Sequence, residues 1–385
     1  MDQTEALIIE TIDRHREEIL EFARDIYSHA ELGYKEFQTS GKFVKKMEQL
    51  GLRTEKGFAI TGVKAYLNED KKENASLALL GELDALRIPE HAFANPETNA
   101  AHCCGHHAQM AGVFGAALAL TVPEIAEKLD GQVVFFATPA EEYGEIEFKN
   151  QLREQGKIRY GGGKCELLRI GAFDDIDLCL THHIRPGNEI LVGSGTGNGF
   201  VSKVIRVLGK ASHAAGAPEK GVNALSAASL GLQALGLNRE TFRDEDCVRV
   251  HPIITKGGNL VNVIPDEVVV ETLVRGKTIE AFTDAAKKTD RSFKAGAIAM
   301  GAKVEISTLP GYLPTLAEEA LPELKHAAEI SASGIPVIEA SGHAGGSTDV
   351  GDVQHLMPVY TFNTGGVKGG LHQIVFEVTD EEEAY

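Results

Sequence analysis

The sequence predicts an α/β fold in two parts, a mostly parallel sheet with helices and a smaller α+β unit inserted into it. Three observations carry this. Short apolar runs alternate with helical segments through the first half of the chain, the pattern of a largely parallel sheet. A glycine-rich joint at 193–199 (GSGTGNG) then marks a change of texture. Beyond it the segments follow a β-α-β-β-α-β order that is complete in itself. At 385 residues and 43% hydrophobic, the chain is long enough to bury two cores.

Residues 3–29 and 36–50 read as amphipathic helices, the second closed by Gly51. Apolar runs at 63–67, 77–80, 132–138 and 178–181 suit strands, and the small residues of 108–120 suit a tightly packed helix. Residues 143–160 form a charged, helix-like insertion. In the middle of the chain, strands are expected at 201–208, 248–255, 267–273 and 303–308, with helices at 222–237 and 278–300. That order is ferredoxin-like, and 311–314 (GYLP) reads as the return joint. The expected organisation is therefore a discontinuous domain, 1–195 and 311–385, with an inserted domain at 196–310.

A formal net charge of −18 argues against sequence-independent binding to nucleic acid or to anionic membranes. The longest nearly apolar stretch, 111–122, is far shorter than the ~20 residues of a membrane span. The N-terminus is charged and lacks an apolar signal core. Five cysteines without framework spacing favour reduced thiols, and with them a cytoplasmic location.

Chemistry concentrates in three clusters. In His102-Cys103-Cys104-Gly105-His106-His107, thiolate and imidazole are the donors that ions such as zinc prefer. Taken alone, the segment is equally a polar loop holding a buried cysteine. Pro139-Ala140-Glu141-Glu142 follows a predicted buried strand, where one carboxylate can bind metal while its neighbour handles protons. An isolated Glu-Glu pair is more often a solvated turn. Thr181-His182-His183-Ile184-Arg185-Pro186 also follows a strand, and His372 offers one more imidazole. Strand ends of a parallel sheet converge on one edge. Two divalent ions need about this many ligands, with a spare Glu as the usual general base for water.

These residues resemble the amidohydrolase branch of the metallopeptidase family that holds aminoacylases, glutamate carboxypeptidases and indole-acetyl-amino-acid hydrolases. Within it, the look is closest to aminobenzoyl-glutamate hydrolase-like proteins. The matching segments are GELDAL (81–86), HCCGHHAQ (102–109), ATPAEE (137–142), GGGK (161–164), GAFDDID (171–177), GKASHAAGAPEKGVNAL (209–225), GGNLVNVIPDE (257–267) and GGSTDVGD (345–352).

The resemblance implies a catalytic domain with two divalent ions, zinc or manganese, and an inserted ferredoxin-like domain that serves as lid and dimer contact. Cys104 would bridge the ions, with His106, Glu142, His183 and His372 as further ligands and Glu141 as general base. His213, on the inserted domain, would reach the partner's site in a homodimer built through 196–310. Asn262 and Arg275 would hold the carbonyl and the free carboxylate of a small substrate, an N-acyl amino acid or an aminobenzoyl-glutamate-like compound. Arginine's planar fork matches a carboxylate.

Three features depart from the family pattern. Glu82 stands where a histidine is common, which puts Asp84 behind the ligands; His107 replaces an Asp or Asn and is open as an extra ligand; and the insertion at 143–160 borders the expected site. A dipeptidase of the same family is the second reading. The third is an inactive metal-binding relative, disfavoured because every expected ligand and the base are present.

Overall fold

The computed structural model describes every residue except Ser333. The chain forms two compact units. The first comprises Met1–Gly195, Leu316–Gly342 and Asp352–Tyr385; the second comprises Thr196–Thr315 and His343–Gly351.

The first unit opens with α1 (Gln3–Arg14), α2 (Arg16–Ser28) and α3 (Phe37–Gln49), then β1 (Arg53–Phe58), β2 (Gly62–Leu67) and β3 (Ser76–Glu82). Next come α4 (His106–Leu120), β4 (Gln132–Thr138), α5 (Ile146–Glu154), α6 (Gly163–Arg169), β5 (Leu178–Ile184) and β6 (Ile190–Val192). The second unit contributes β7 (Gly199–Leu208), α7 (Ala224–Asn238), β8 (Arg249–Val250), β9 (Ile253–Lys256), β10 (Glu267–Gly276), α8 (Ile279–Met300) and β11 (Lys303–Pro310). On return to the first unit the chain adds β12 (Val337–Glu339) and β13 (Val359–Thr364).

The first unit's sheet has eight strands in the order β1-β2-β4-β3-β5-β13-β6-β12. Its centre, β4-β3-β5-β13, is parallel, whereas β1 and β2 join β4 antiparallel at one edge. Strand β4 (QVVFFAT) is buried at every position, as a parallel strand covered on both faces must be. Helix α4 is buried along most of its length, and Phe114 meets Phe22 of α2 with ring centroids 5.0 Å apart. Gly81 of β3 lets α4 lie close on the sheet, because a Cβ there would sit 2.8 Å from Met110 Sδ.

In the second unit, β8 and β9 pair with β10, β10 with β7, and β7 with β11, all antiparallel. Helices α7 and α8 close on each other through glycines; a Cβ on Gly296 would stand 2.4 Å from the Ala227 carbonyl oxygen. Ile205, Val207, Val268, Val270 and Phe293 form the core beneath them.

Several elements differ from the sequence expectation. The helix expected over 3–29 is broken at His15; the first piece only half-buries its apolar residues, whereas the second buries Ile19, Leu20, Phe22, Ala23 and Ile26. The strand expected at 248–255 is two short pieces on either side of His251 and Pro252, and proline cannot donate to a ladder. Strand β1 (RTEKGF) carried no apolar signal because it is a largely exposed edge. Strand β5 runs on through Ile184, so His182 and His183 lie on the strand and point to opposite faces. Among the described residues no helix is long and apolar enough to cross a membrane, and all five cysteines are free.

Candidate active site

The carboxyl ends of β3, β4 and β5 lie side by side, with Glu82 opposite Thr138 and Leu80 opposite Thr181. Each end delivers polar side chains: Glu82 and Asp84 after β3, the 139–142 turn after β4, and His183 near the end of β5. Helix α4 starts at the same edge. Its N-cap, Gly105, has φ +93°, and a Cβ there would come within 2.2 Å of Ile184 Cγ1. Only glycine satisfies both demands, so Cys104 and His106 are turned into the same space.

Three donor triads result; Glu82, His106 and Glu141 make one, and the other two share the Cys104 sulfur. Cys104, His106 and His183 form the first of that pair, and Cys104, Glu142 and His372 the second; within each, the ligand atoms lie within 4.8 Å of one another. Cys104 Sγ stands 3.5 Å from His183 Nε2 and 3.3 Å from His372 Nε2. His372 Nε2 is 3.1 Å from Glu142 Oε1. Donors around one tetrahedral ion sit ~3.3–3.7 Å apart, given bonds of ~2.0–2.3 Å, so these spacings suit a shared ion.

The imidazoles are oriented for the same task. His106 Nδ1 donates to the Asp84 carbonyl at 2.8 Å and His183 Nδ1 to the Ile184 carbonyl at 2.7 Å. With each Nδ1 so engaged, the Nε2 atoms are the ones turned to the site. His106 Nε2 and Glu142 Oε1 are buried, and their near polar neighbours are ionisable groups, Glu82 Oε2 and His372 Nε2, each at 3.1 Å. Sulfur, imidazole and carboxylate donors together fit a borderline divalent ion. His372, at φ +63° and exposed, is held by its own N–H, which donates to the Cys103 carbonyl.

A frame of carboxylates stands behind these groups. Asp84 accepts the backbone N–H groups of Glu141 and Glu142 at 3.1 and 2.9 Å. Glu36 accepts the N–H of Ala140, itself in the left-handed region at φ +50°. Glu82 is held by Lys164 Nζ at 2.5 Å and Gln109 Nε2 at 2.7 Å, and its Oε2 lies 3.1 Å from His106 Nε2. Glu141 is buried, with Oε2 3.9 Å from His106 Nε2.

Charge states follow from this packing. Burial pushes the Cys104 thiol well up, and the Glu142 carboxylate adds to the effect. For Glu82 burial works against ionisation, but Lys164 and His106 outweigh it and hold the carboxyl low. For Glu142 burial is likewise opposed, by His372 and His106, and the carboxyl ends below its usual range. Burial, aided by Asp84, raises Glu36 to about 7.

Three expected residues belong to the second unit. His213 forms a β-bridge with Val263, and the Ala214 N–H donates to the Asn262 carbonyl, so His213 and Asn262 are neighbours on exposed loops. Arg275 lies at the far end of β10, opposite Phe200 and Arg249, with its guanidinium 5.9 Å from the Phe200 ring centroid. Asn262 precedes β10 and Arg275 lies near its far end, with eight residues of strand from Glu267 to Arg275, ~26 Å at 3.3 Å per residue.

His107, open as an extra ligand, faces the other way. Its Nε2 is 3.0 Å from the Tyr385 hydroxyl, and its ring packs on Tyr27 and His102. Sequence reasoning gave no role to Lys164, Glu36 or Lys149. The GGGK segment was a usable signal for the first, whereas the other two sit in segments with no motif.

The model of peptidase family M20/M25/M40 matches residues 78–385. The chain belongs to this family. As an M20/M25/M40 member it is a hydrolase acting on amide or peptide bonds. The resemblance read from its motifs therefore holds. Mouse Xaa-Arg dipeptidase is 28% identical over 91% of this chain and 77% of its own length. An IAA-amino acid hydrolase of Arabidopsis thaliana (ILR1-like 2) is 30% identical over 69% of this chain and 56% of its own. A p-aminobenzoyl-glutamate hydrolase chain of Escherichia coli is 27% identical over 80% of this chain and 60% of its own. Among solved structures, a Staphylococcus aureus protein described as a putative aminohydrolase superposes with TM-score 0.73 at 21% identity, covering 99% of this chain and 96% of its own. A Bacillus subtilis protein described as a dinuclear metal-binding peptidase of the M20 family does so with TM-score 0.65 at 24%, covering 97% and 95%. These two show the family's fold.

Proposed function

We propose that the protein is a metal-dependent amidohydrolase that cleaves N-acyl amino acids or aminobenzoyl-glutamate-like compounds. The observation that carries the reading is the pair of donor triads meeting at Cys104. In this reading two divalent ions, zinc or manganese, would be held by Cys104 together with His106, His183, Glu142 and His372. The Bacillus subtilis neighbour, described as dinuclear, supports a pair of ions. Bound there, the ions would polarise the scissile carbonyl and acidify water.

The remaining steps belong to the chain. Glu141 accepts a proton from water at its carboxylate and returns it to the departing nitrogen, which leaves as an amine. Asp84 orients both glutamates through their backbone. His213 donates to the oxyanion, Asn262 to the carbonyl, and Arg275 grips the free carboxylate.

Residues 196–310 serve in this reading as an inserted ferredoxin-like lid between 1–195 and 311–385; the strand order β11-β7-β10-β8, with β9 also on β10, supports the ferredoxin-like part. His213 and Asn262 sit at one end of β10 and Arg275 at the other, so in this reading two copies of the chain are needed to meet one small substrate. A homodimer through this unit fits that need. Its edge exposes Ile253, Ile254, Leu260 and Val261, apolar surface that a partner copy would cover. The chain is assigned to the cytoplasm on its free cysteines.

The experiment combines metal analysis with hydrolysis of a panel of N-acyl amino acids and dipeptides. Glu141→Ala is expected to lower kcat ~10²–10⁴-fold while metal content stays at the wild-type level. An active, metal-loaded Glu141→Ala protein would reassign the base. The mouse relative, a named Xaa-Arg dipeptidase, favours a second reading as a dipeptidase. Preferential turnover of substrates with a free α-amine would establish it.

A further inference from the structure

We propose that Lys149, carried by the insertion at 143–160, is a positioning residue for Glu142. The inference rests on Glu142 being a metal ligand, as proposed above.

The turn that carries Glu141 and Glu142 is fixed at almost every backbone polar group. The N–H of Ala140 is taken by Glu36 and those of Glu141 and Glu142 by Asp84. The Ala140 carbonyl accepts the Gly163 N–H at 3.0 Å. The Glu142 carbonyl accepts Lys149 Nζ at 2.5 Å. That contact fixes the peptide plane following Glu142, and with the two N–H contacts it sets the direction of the side chain.

Lys149 is 3% exposed on α5, an unusual place for an ammonium. Desolvating a cation is costly, and a methionine of similar volume would pack there without that cost. The site is built to receive the charge. Nζ lies 5.1 Å from the Tyr143 ring centroid and 5.7 Å from that of Tyr34, within range of cation–π attraction. The insertion is also tied down at both ends. Lys35 pairs with Glu145 at 2.8 Å and lies over the Phe148 ring, and the Tyr34 hydroxyl donates to the Tyr160 carbonyl at 3.1 Å. Residues 34 and 35 thus dock the insertion, while residue 36 anchors the turn that the insertion contacts.

The consequence is selective. The triad Cys104, Glu142 and His372 depends on Lys149, whereas the triad Cys104, His106 and His183 does not. Metal stoichiometry and affinity are read by elemental analysis of protein dialysed against graded chelator, with the free metal as probe. Lys149→Met is expected to weaken one of two ions ~10–100-fold, the range for groups that orient ligands, and to leave the other at the wild-type level. Lys149→Arg, which keeps charge and reach, is expected to retain both. If Lys149→Met does not fold, Lys149→Gln, one bond too short for the contact, carries the same expectation. Two ions at wild-type affinity in Lys149→Met or Lys149→Gln overturn the proposal. Glu142→Ala separates the two levels of inference. Loss of one ion there with none lost on changing Lys149 rejects only the positioning role, while no loss in either rejects Glu142 as a ligand.

Discussion

The carboxylate of Glu36 accepts the backbone N–H of Ala140 at 2.8 Å, deep in the first unit and one residue before the proposed base. Because burial and Asp84 lift Glu36 from 4.5 to about 7, the folded chain holds a proton there that the unfolded chain releases. Between pH 4.5 and 7 the folded state therefore binds more protons at this site, and stability falls as pH rises. Urea midpoints of metal-free protein across that window, compared with Glu36→Gln, isolate the contribution. The variant should gain on the wild type as pH increases; parallel curves would remove Glu36 as the cause.

Gly105 should tolerate no side chain. Gly105→Ala forces a left-handed alanine, at ~1–2 kcal/mol, and drives its Cβ into Ile184, at ~1–3 kcal/mol more. Denaturant unfolding should show a loss of roughly 2–5 kcal/mol. Adding Ile184→Val should recover part of the steric share and none of the backbone share.

The Lys164–Glu82 pair is fully enclosed, at 0% and 4% side-chain exposure. Removing one partner of a buried pair leaves an uncompensated charge and costs ~3–5 kcal/mol. Lys164→Met should lose about that much, and Lys164→Met with Glu82→Gln should lose less than Lys164→Met alone. A double variant no better than the single would show that the ion pair itself contributes little.

If Arg275 grips the substrate's free carboxylate, N-acyl amino acids should be hydrolysed and their carboxamides should not. Arg275→Lys should lower kcat/KM, because a point charge cannot reproduce a two-pronged contact. Equal turnover of acids and amides with an unaffected Arg275→Lys variant would discard the clamp and leave the metal chemistry standing.

The central strands were legible because a doubly covered parallel sheet needs uninterrupted apolar runs, and Val133–Ala137 supplies one. The donor clusters at 139–142 and 181–186 were legible for a related reason, since both adjoin such a run. What escaped was of two kinds. The charged edge β1 hides its strand character, because exposure removes the alternation that would reveal it. The frame behind the site escaped because Glu36, Lys149 and Lys164 act through contacts between residues 82 to 104 positions apart or through a backbone carbonyl. In a sequence, a buried ammonium looks the same as a solvated one. His107 shows the reverse failing, since adjacency to a ligand in sequence says nothing about which side of a helix start a ring will occupy.

Cys104 and His372 meet across 268 positions of chain. An ion held between them is therefore also a cross-link, one that ties the C-terminal tail to the start of α4. Closing a loop of more than a hundred residues removes ~5 kcal/mol of entropy from an unfolded chain, as a disulfide does. With such an ion bound, a protein whose five cysteines are all free would gain the kind of staple that a disulfide otherwise supplies, reversible and set by the free concentration of the metal.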